Sequence, residues 1–380
     1  MITNHRNMLE DKIRCNAYKK AISEVVKPGH TVVDIGTGSG LLSYFAVMSG
    51  AKKVYAIDWG DIIEHSKKIA KANNWSNRIE FIKNASINVK LPKKVDVVIS
   101  EILGSFAIEE DVVKYITDAK KRFLKKGGIL VPARVEMEIS PIEASQEYEN
   151  LIEFWNKSLY GVDFSQVSEE ALNYRYTSSN LYEKDLLSPP QKIHTIDFYK
   201  LDKEDISINK SVNFKIKRKG TIYGIAGWFK AYLTENVTFS SFYKDEKTHW
   251  GTNFFPIKKP IKVDKGENIL VKISGQKTFN TVVWTWVIEN KNGIKYIHST
   301  FKSMKFNKEK AIQGSPDYIP LLNNEEKEIF EFIFNRCDGT KSIKQISEEL
   351  HSKYSEQFLK LDDAQNKVRE VVLNNNIKKQ

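Results

Sequence analysis

The chain has little cysteine and no long apolar run, and both shortages narrow what it can be. Cys15 and Cys337 are the only cysteines in 380 residues. Two cysteines so far apart build no disulfide framework and favour a reducing, cytoplasmic compartment. No stretch reaches the roughly 18–20 uninterrupted apolar residues of a membrane helix, and the opening MITNHRNMLEDKIR is polar, without the apolar core of a signal peptide. The seven histidines are scattered, none at the spacing of a metal-ligand pair, so no metal is expected. Zinc-finger spacing and arginine-rich tracts are also missing, which argues against nucleic acid as a partner. The net charge of +11 would suit an anionic partner, but the basic residues spread along the whole chain, and a solvated basic surface is the simpler reading. Hydrophobic residues at 41% and charged residues at 28% are ordinary for a soluble globular protein, and the length allows two or three domains.

What is present falls into three segments. Over 1–140 the patterning predicts helices at 17–26, 41–48, 62–73 and 111–123, alternating with strands at 31–35, 53–57, 79–82, 95–100 and 128–131. Such alternation indicates a doubly wound, mostly parallel α/β sheet. Over 141–307, runs such as VNFKIKRKG, GIAGWFKAYL, NILVKISG and TVVWTWVIE are β-rich and separated by turn residues, which predicts an antiparallel barrel or sandwich. A polar, aromatic stretch at about 155–190 interrupts it and is too long for a plain loop, so it reads as an arm. A lysine-rich linker with Gly314 and Pro316 leads to a third segment, 315–380, which is helical with a turn at Cys337-Asp338-Gly339-Thr340 and a further helix at 362–373.

The first strong chemical signal is Val32-Val33-Asp34-Ile35-Gly36-Thr37-Gly38-Ser39-Gly40-Leu41. An apolar strand enters alternate glycines and then a helix, so a ligand can lie against bare backbone at the carboxyl end of the strand. Asp58 ends a second strand and suits a ribose diol. A dinucleotide would want G-x-G-x-x-G and a pyrophosphate at the helix N-terminus. Here the spacing is G-x-G-x-G and a carboxylate, Asp34, stands beside it. That arrangement favours a cofactor carrying an ammonium and a sulfonium, namely S-adenosylmethionine. A second signal is Ser100-Glu101-Ile102-Leu103-Gly104-Ser105-Phe106-Ala107-Ile108-Glu109-Glu110, a loop bracketed by acids beyond the fourth strand. Acids in loops are usually solvated, so alone it carries little.

Two further patterns change that weight: His5-x-x-Met8-Leu9-x-Asp11-x-x-Arg14 before the glycine strand, and Thr248-His249-Trp250 in the β-rich half. Taken in order and at these intervals, the four motifs resemble the protein arginine methyltransferases over residues 5–307. The resemblance implies a seven-stranded, Rossmann-like S-adenosylmethionine domain, a β-barrel domain for substrate and a helical dimerisation arm, hence a homodimer. It assigns Glu101 and Glu110 as the carboxylates that clasp a guanidinium, with Glu109 a nearby rival for the second place. A guanidinium stays protonated and matches carboxylates at two edges, so the chemistry calls for such a pair. The same resemblance places Arg14 on the cofactor's carboxylate, and His5 and Met8 near the cofactor and the reacting nitrogen. Adenine recognition is left to Ser86, Asn88 or the backbone, since the acid that relatives often place there is absent. His249, paired with Asp11, is expected to help remove the proton lost after transfer, or else to staple the two halves together. Trp250 is expected to wall the acceptor pocket or to belong to the core. The chain starts four residues before His5, so the aromatic helix that covers the cofactor in many members is not expected here.

The third segment, through Pro320-Leu321-Leu322-Asn323, Ile329, Phe330, Ile333, Asp338-Gly339, Ile343, Ile346 and Leu350, resembles the PqqD-like peptide chaperones, or RiPP recognition elements. That implies a small winged-helix-like domain holding a leader peptide as an added strand, and a bacterial enzyme modifying a ribosomally made precursor peptide. A generic winged-helix or three-helix appendage is the plain alternative. For the whole chain, methylation of another acceptor and a peptide-binding scaffold with a degenerate catalytic domain both stay open.

Overall fold

The apolar runs become the middle of a parallel sheet because helices cover both of its faces. A computed structural model describes residues 2–202, 207–242, 248–277, 281–289, 293, 295–303 and 324–374. Helices α1 (Ile2–Glu10) and α2 (Lys12–Val25) lead into strand β1 (Thr31–Ile35). Then come α3 (Leu41–Met48), β2 (Lys53–Asp58), α4 (Ile62–Ala72), β3 (Ile79–Lys83), β4 (Val95–Ser100), α5 (Val112–Arg122) and β5 (Leu124–Val131). All neighbours pair in parallel, in the order β3-β2-β1-β4-β5. Val32, Val33, Val54, Val97 and Ile99 are completely buried. The order reverses between β1 and β4, which opens a crevice beyond their carboxyl ends.

The seven strands that the resemblance implies do not form: five pair among the described residues. Only Pro132 and Ala133 separate β5 from β6 (Arg134–Ile142), and β6 joins a different sheet. The helix predicted at 17–26 begins earlier, at Lys12, because the Asp11 carboxylate caps it by accepting from the Arg14 N–H at 2.9 Å.

The β-rich part continues with α6 (Ser145–Leu151), β7 (Ser158–Leu159), β8 (Val162–Asp163), α7 (Ser168–Leu172), β9 (Tyr176–Ser178), β10 (Gln191–Asp197), β11 (Ser207–Lys215), β12 (Gly220–Tyr232), β13 (Thr238–Ser240), β14 (Thr252–Val263), β15 (Asn268–Lys277), β16 (Val282–Glu289) and β17 (Lys295–Ser299). Two antiparallel sheets result: β10-β6-β12-β14-β9 with β13 beside β12, and β11-β15-β16-β17. Their inner faces meet through aromatics. Phe255 lies 5.3 Å from Trp286 and 5.8 Å from Trp284, and Trp286 Nε1 donates to the Pro256 carbonyl at 2.8 Å. The expected barrel is thus two hydrogen-bonded ladders packed face to face, not one closed ladder. The arm expected to be helical is mixed: the β7–β8 hairpin, the five-residue α7 and β9. Its polar sequence offers no sustained helical stripe. Leu172 and Leu181 root it against Ile142, Trp228 and Phe254 of the larger sheet, while Tyr160 and Val162 stand in solvent.

The division expected at 140 does not separate compact units; Met1–Met304 forms one and Lys305–Gln380 another. Contacts across the expected border explain this, among them the Leu130 N–H donating to the Tyr199 hydroxyl at 2.8 Å. In the second unit, α8 (Asn324–Phe334), α9 (Ile343–Lys353) and α10 (Leu361–Asn374) bury Ile333, Leu350, Ala364 and Val368. A capping box joins Ser342 and Gln345 at the start of α9. Among the described residues this unit shows three helices and no strand. The expected linker at 304–318 and the Pro320–Asn323 motif, numbered 320–323, lie outside the described residues. No helix among them is long and apolar enough to cross a membrane.

Candidate active site

A cavity of about 530 Å³ opens at the crevice between β1 and β4. Of the residues singled out in the sequence, His5, Met8, Arg14, Gly36, Gly38, Leu41, Asp58, Ser86, Glu101 and Glu110 all line it. The glycine turn is built as the motif requires. Gly36 and Gly38 have φ of 70° and 53°, and added Cβ atoms would lie 2.7 Å from Ile102 and 3.1 Å from His5. The wall is therefore bare backbone because side chains have no room there. Asp58 ties this turn to the next loop, its two oxygens accepting from Gly38 N–H at 2.8 Å and Gly60 N–H at 2.7 Å. Each carboxylate oxygen keeps a further lone pair for a ligand.

Two residues expected to touch the cofactor, Asp34 and Gly40, do not line the cavity. Asp34 is fully buried and accepts from the Thr37 and Ser43 hydroxyls, both at 2.7 Å, so it stiffens the turn from within. Burial pushes its carboxyl up to about 6 in spite of those two donors. Gly40 starts α3 in the left-handed conformation, and its missing Cβ makes room for the Tyr44 hydroxyl.

The acid-bracketed loop is held where it leaves β4. Tyr18 donates to the Ser100 carbonyl at 3.0 Å, and Ser100 to the Ile35 carbonyl at 2.9 Å. Midway, Phe106 is buried 5.0 Å from Trp284, occupying space that Gly227 leaves free. Gly104, Ala107, Glu110 and Asp111 all have φ between 55° and 62°. Each non-glycine residue in that region costs on the order of 1 kcal/mol or more, so the surrounding contacts must enforce it. Glu101 forms a buried ion pair with Arg14, whose Nη2 also donates to the Met8 carbonyl at 2.7 Å. Arg14 was expected on a cofactor carboxylate; it lines the cavity, but its guanidinium is engaged with Glu101. Burial opposes its charge, and Glu101, together with Cys15 and Tyr18, more than restores it. Glu110 makes no ion pair among the described residues. Burial first, then Glu101 and Glu109, push its carboxyl up against a smaller pull from His249. Glu109, the nearby rival, does not line the cavity; it pairs with Arg175 at 3.1 Å and accepts from the Phe106 N–H at 2.6 Å.

His249 and Asp11 meet as expected, Nδ1 to Oδ2 at 2.9 Å, with the His249 N–H donating to the same oxygen at 2.9 Å. Burial would raise Asp11, but hydrogen bonds from His249 and the Arg14 N–H bring it below the ordinary value. Neither residue lines the cavity. Trp250 is a core residue and no pocket wall: it is buried, stacked on Phe239 at 5.4 Å and edge-on to Phe229 at 5.1 Å. Sequence reasoning missed Trp59 and Tyr115, which also line the cavity. Trp59 follows Asp58 directly and is 78% exposed, and its place as an aromatic right after that acid was the signal that could have found it.

These residues fit S-adenosylmethionine. Ser86 Oγ and Arg14 Nε are buried without a hydrogen-bond partner, the turn accepts backbone-close contact, and carboxylates (Asp58, Glu101, Glu110, Asp111) outnumber the cation Arg14 around the cavity. His5, its basicity lowered chiefly by burial, adds little positive charge at neutral pH. A cationic ligand is favoured and an anionic one is not.

Comparison with known proteins agrees with this geometry. The family described as "Arginine methyltransferase oligomerization subdomain" matches residues 133–283, and "Ribosomal protein L11 methyltransferase (PrmA)" matches residues 19–134. Protein arginine N-methyltransferase 6 of Danio rerio is 32% identical over 262 residues, covering 66% of this chain and 74% of that protein. Its namesake in Xenopus laevis is 29% identical over 279 residues, covering 70% and 82%. The Trypanosoma brucei PRMT1 enzyme–prozyme complex with AdoHcy superposes with a TM-score of 0.72 at 19% identity, over 78% of this chain and 96% of that one, and so shares the fold.

Proposed function

From the premise that the chain belongs to the protein arginine N-methyltransferase family, we propose that it transfers a methyl group from S-adenosylmethionine to an arginine side chain of a peptide or protein. The observation that carries this reading is that Glu101 and Glu110 line the same cavity as the glycine turn. When bound, S-adenosylmethionine supplies an electrophilic methyl on a sulfonium. Gly36, Gly38 and Leu41 would seat it, Asp58 would take its ribose and Ser86 its adenine side. Glu101 and Glu110 hold two edges of the guanidinium, draw its positive charge toward themselves and leave electron density on the remaining nitrogen. Position then does most of the work, since the displacement at carbon needs only an aligned approach. Asp11 holds His249 by Nδ1; His249 lies outside the cavity lining but near enough to act on the Glu110 carboxyl, so the proton that the substituted nitrogen must lose would reach it through Glu110. The test is methylation of an arginine peptide by the wild type and by Glu101→Gln and Glu110→Gln. Each variant should lose about 10²-fold or more in turnover, with S-adenosylhomocysteine still bound by Glu110→Gln in calorimetry. Retained turnover in both variants would sink the assignment.

The finer reading of the substrate is a ribosomally made precursor peptide, with the three-helix unit holding its leader. Its support is the sequence likeness to PqqD-like domains and the independent core of that unit. Tethering a leader raises the local concentration of the core segment. A precursor should therefore show a lower KM than its core segment alone, and equal values would remove this reading. The chain is further proposed to form a homodimer through the arm, supported by the exposed Tyr160 and Val162 at its tip. Sedimentation as a monomer at micromolar concentration would count against it.

A further inference from the structure

Glu109-Glu110-Asp111 puts three carboxylates on consecutive residues, the last two of them lining the cavity, and the molecule treats the outer two unlike the middle one. Glu109 pairs with Arg175 Nη2 at 3.1 Å. Arg175, just before β9, is itself fixed by donating to Ser105 Oγ at 2.8 Å and to the Asn253 side chain, while Asn253 Nδ2 donates to the Ser105 carbonyl at 2.9 Å. Asp111 pairs with Lys277, the last residue of β15. Both cations come from the β-rich part of the chain. Glu110 and Asp111 hold the left-handed conformation, φ 55° and 57°, which their types do not favour. A partner gripping each flanking residue accounts for its persistence.

Resting on the assignment of Glu110 to the guanidinium, we propose that Arg175 and Lys277 are positioning residues for arginine recognition. Each anchors and neutralises one neighbour of Glu110, so that Glu110 alone in the run offers an uncompensated carboxylate to the acceptor. Without them, Glu109 and Asp111 would offer a guanidinium two misplaced docking points. They would also raise the energy of ionising Glu110 by like-charge repulsion. The other charged groups around Glu110 are Glu101 with its partner Arg14 from α2, and His249 with Asp11 behind it. None of these pairs with Glu109 or Asp111.

The test uses Arg175→Gln and Lys277→Gln, the matched doubles Glu109→Gln/Arg175→Gln and Asp111→Asn/Lys277→Gln, and the conservative Lys277→Arg. The first readout is the acid limb of kcat/KM against pH for an arginine peptide. The single variants should move it upward by about half a pH unit or more, the matched doubles should return it to the wild-type position, and Lys277→Arg should leave it in place. The second readout needs no turnover: the rise in Tm caused by Glu110→Gln, followed with pH. Because the folded carboxyl of Glu110 is raised, that rise grows with pH from the unfolded carboxyl's pKa and levels off at the folded one. In the single-variant backgrounds it should become larger and level off at higher pH. A merely structural role predicts an unmoved limb and plateau, or doubles displaced as far as singles, and either result overturns the proposal. If the wild type methylates no arginine peptide, the reading of the acceptor fails, and the Tm series still decides whether the two pairs govern Glu110.

Discussion

Asp11 accepts three hydrogen bonds, one from the backbone that starts α2 and two from His249 in the β-rich part. It is 4% exposed, so losing its charge leaves donors poorly satisfied in a buried place. Its folded pKa lies below the unfolded one. The stabilisation is therefore complete above the unfolded value of 3.8 and is lost as pH falls through the folded value. Asp11→Asn should cost about 1–3 kcal/mol near neutrality, and denaturant titrations should show the gap from wild type narrowing below pH 4. A gap independent of pH would mean that the charge is not what Asp11 contributes. At this scale the motifs were readable, and the family's spacing favoured Glu110 over its neighbour Glu109. The pairing of Glu109 with Arg175, 66 positions onward, was not readable, since nothing in the acid's own surroundings names that partner. The side of the wall on which Asp34 stands, and the choice between wall and core for Trp250, were hidden for a related reason, since a motif names neighbours without saying which side of the wall each occupies.

Among the elements, the turn between β1 and α3 bears most directly on ligand binding. Gly38→Ala would put a Cβ 3.1 Å from the His5 ring of α1 in a backbone conformation of φ 53°. Its cost to folding should be about 1–2 kcal/mol, while calorimetry should show S-adenosylhomocysteine binding weakened tenfold or more, because the intruding methyl sits on the cavity wall. Undiminished affinity would move the cofactor away from this turn. β1 and α3 match their predicted ranges to the residue, 31–35 and 41–48, because glycines punctuate the chain there. The arm was legible as an insertion but not as structure, since two-residue strands and a five-residue helix leave no periodicity to read.

At the scale of the molecule, two compact units share the chain, and each carries its own buried core. A chain ending at Met304 is expected to keep its kcat on a short arginine peptide and to lose the KM advantage of a leader-bearing one. Turnover lost on the short peptide would show that the second unit serves catalysis itself. The partition of the β-rich part into two ladders was not legible, because pairings such as β10 with β6 and β11 with β15 join segments about 55–60 residues apart, and the strands' own patterns do not name their partners.

The contacts that cross from the parallel sheet to the β-rich part have a further meaning for how such a chain can change over time. Asp11 with His249, Glu109 with Arg175 and Asp111 with Lys277 each place one member on either side of Pro132. The two sides are thus poor cassettes: a recombinant spliced at Pro132 from a relative lacking the matching cations would inherit an intact glycine turn beside a disarranged acceptor clasp. Drift on one side is tolerated only when answered on the other, so the pair members should be exchanged together or not at all.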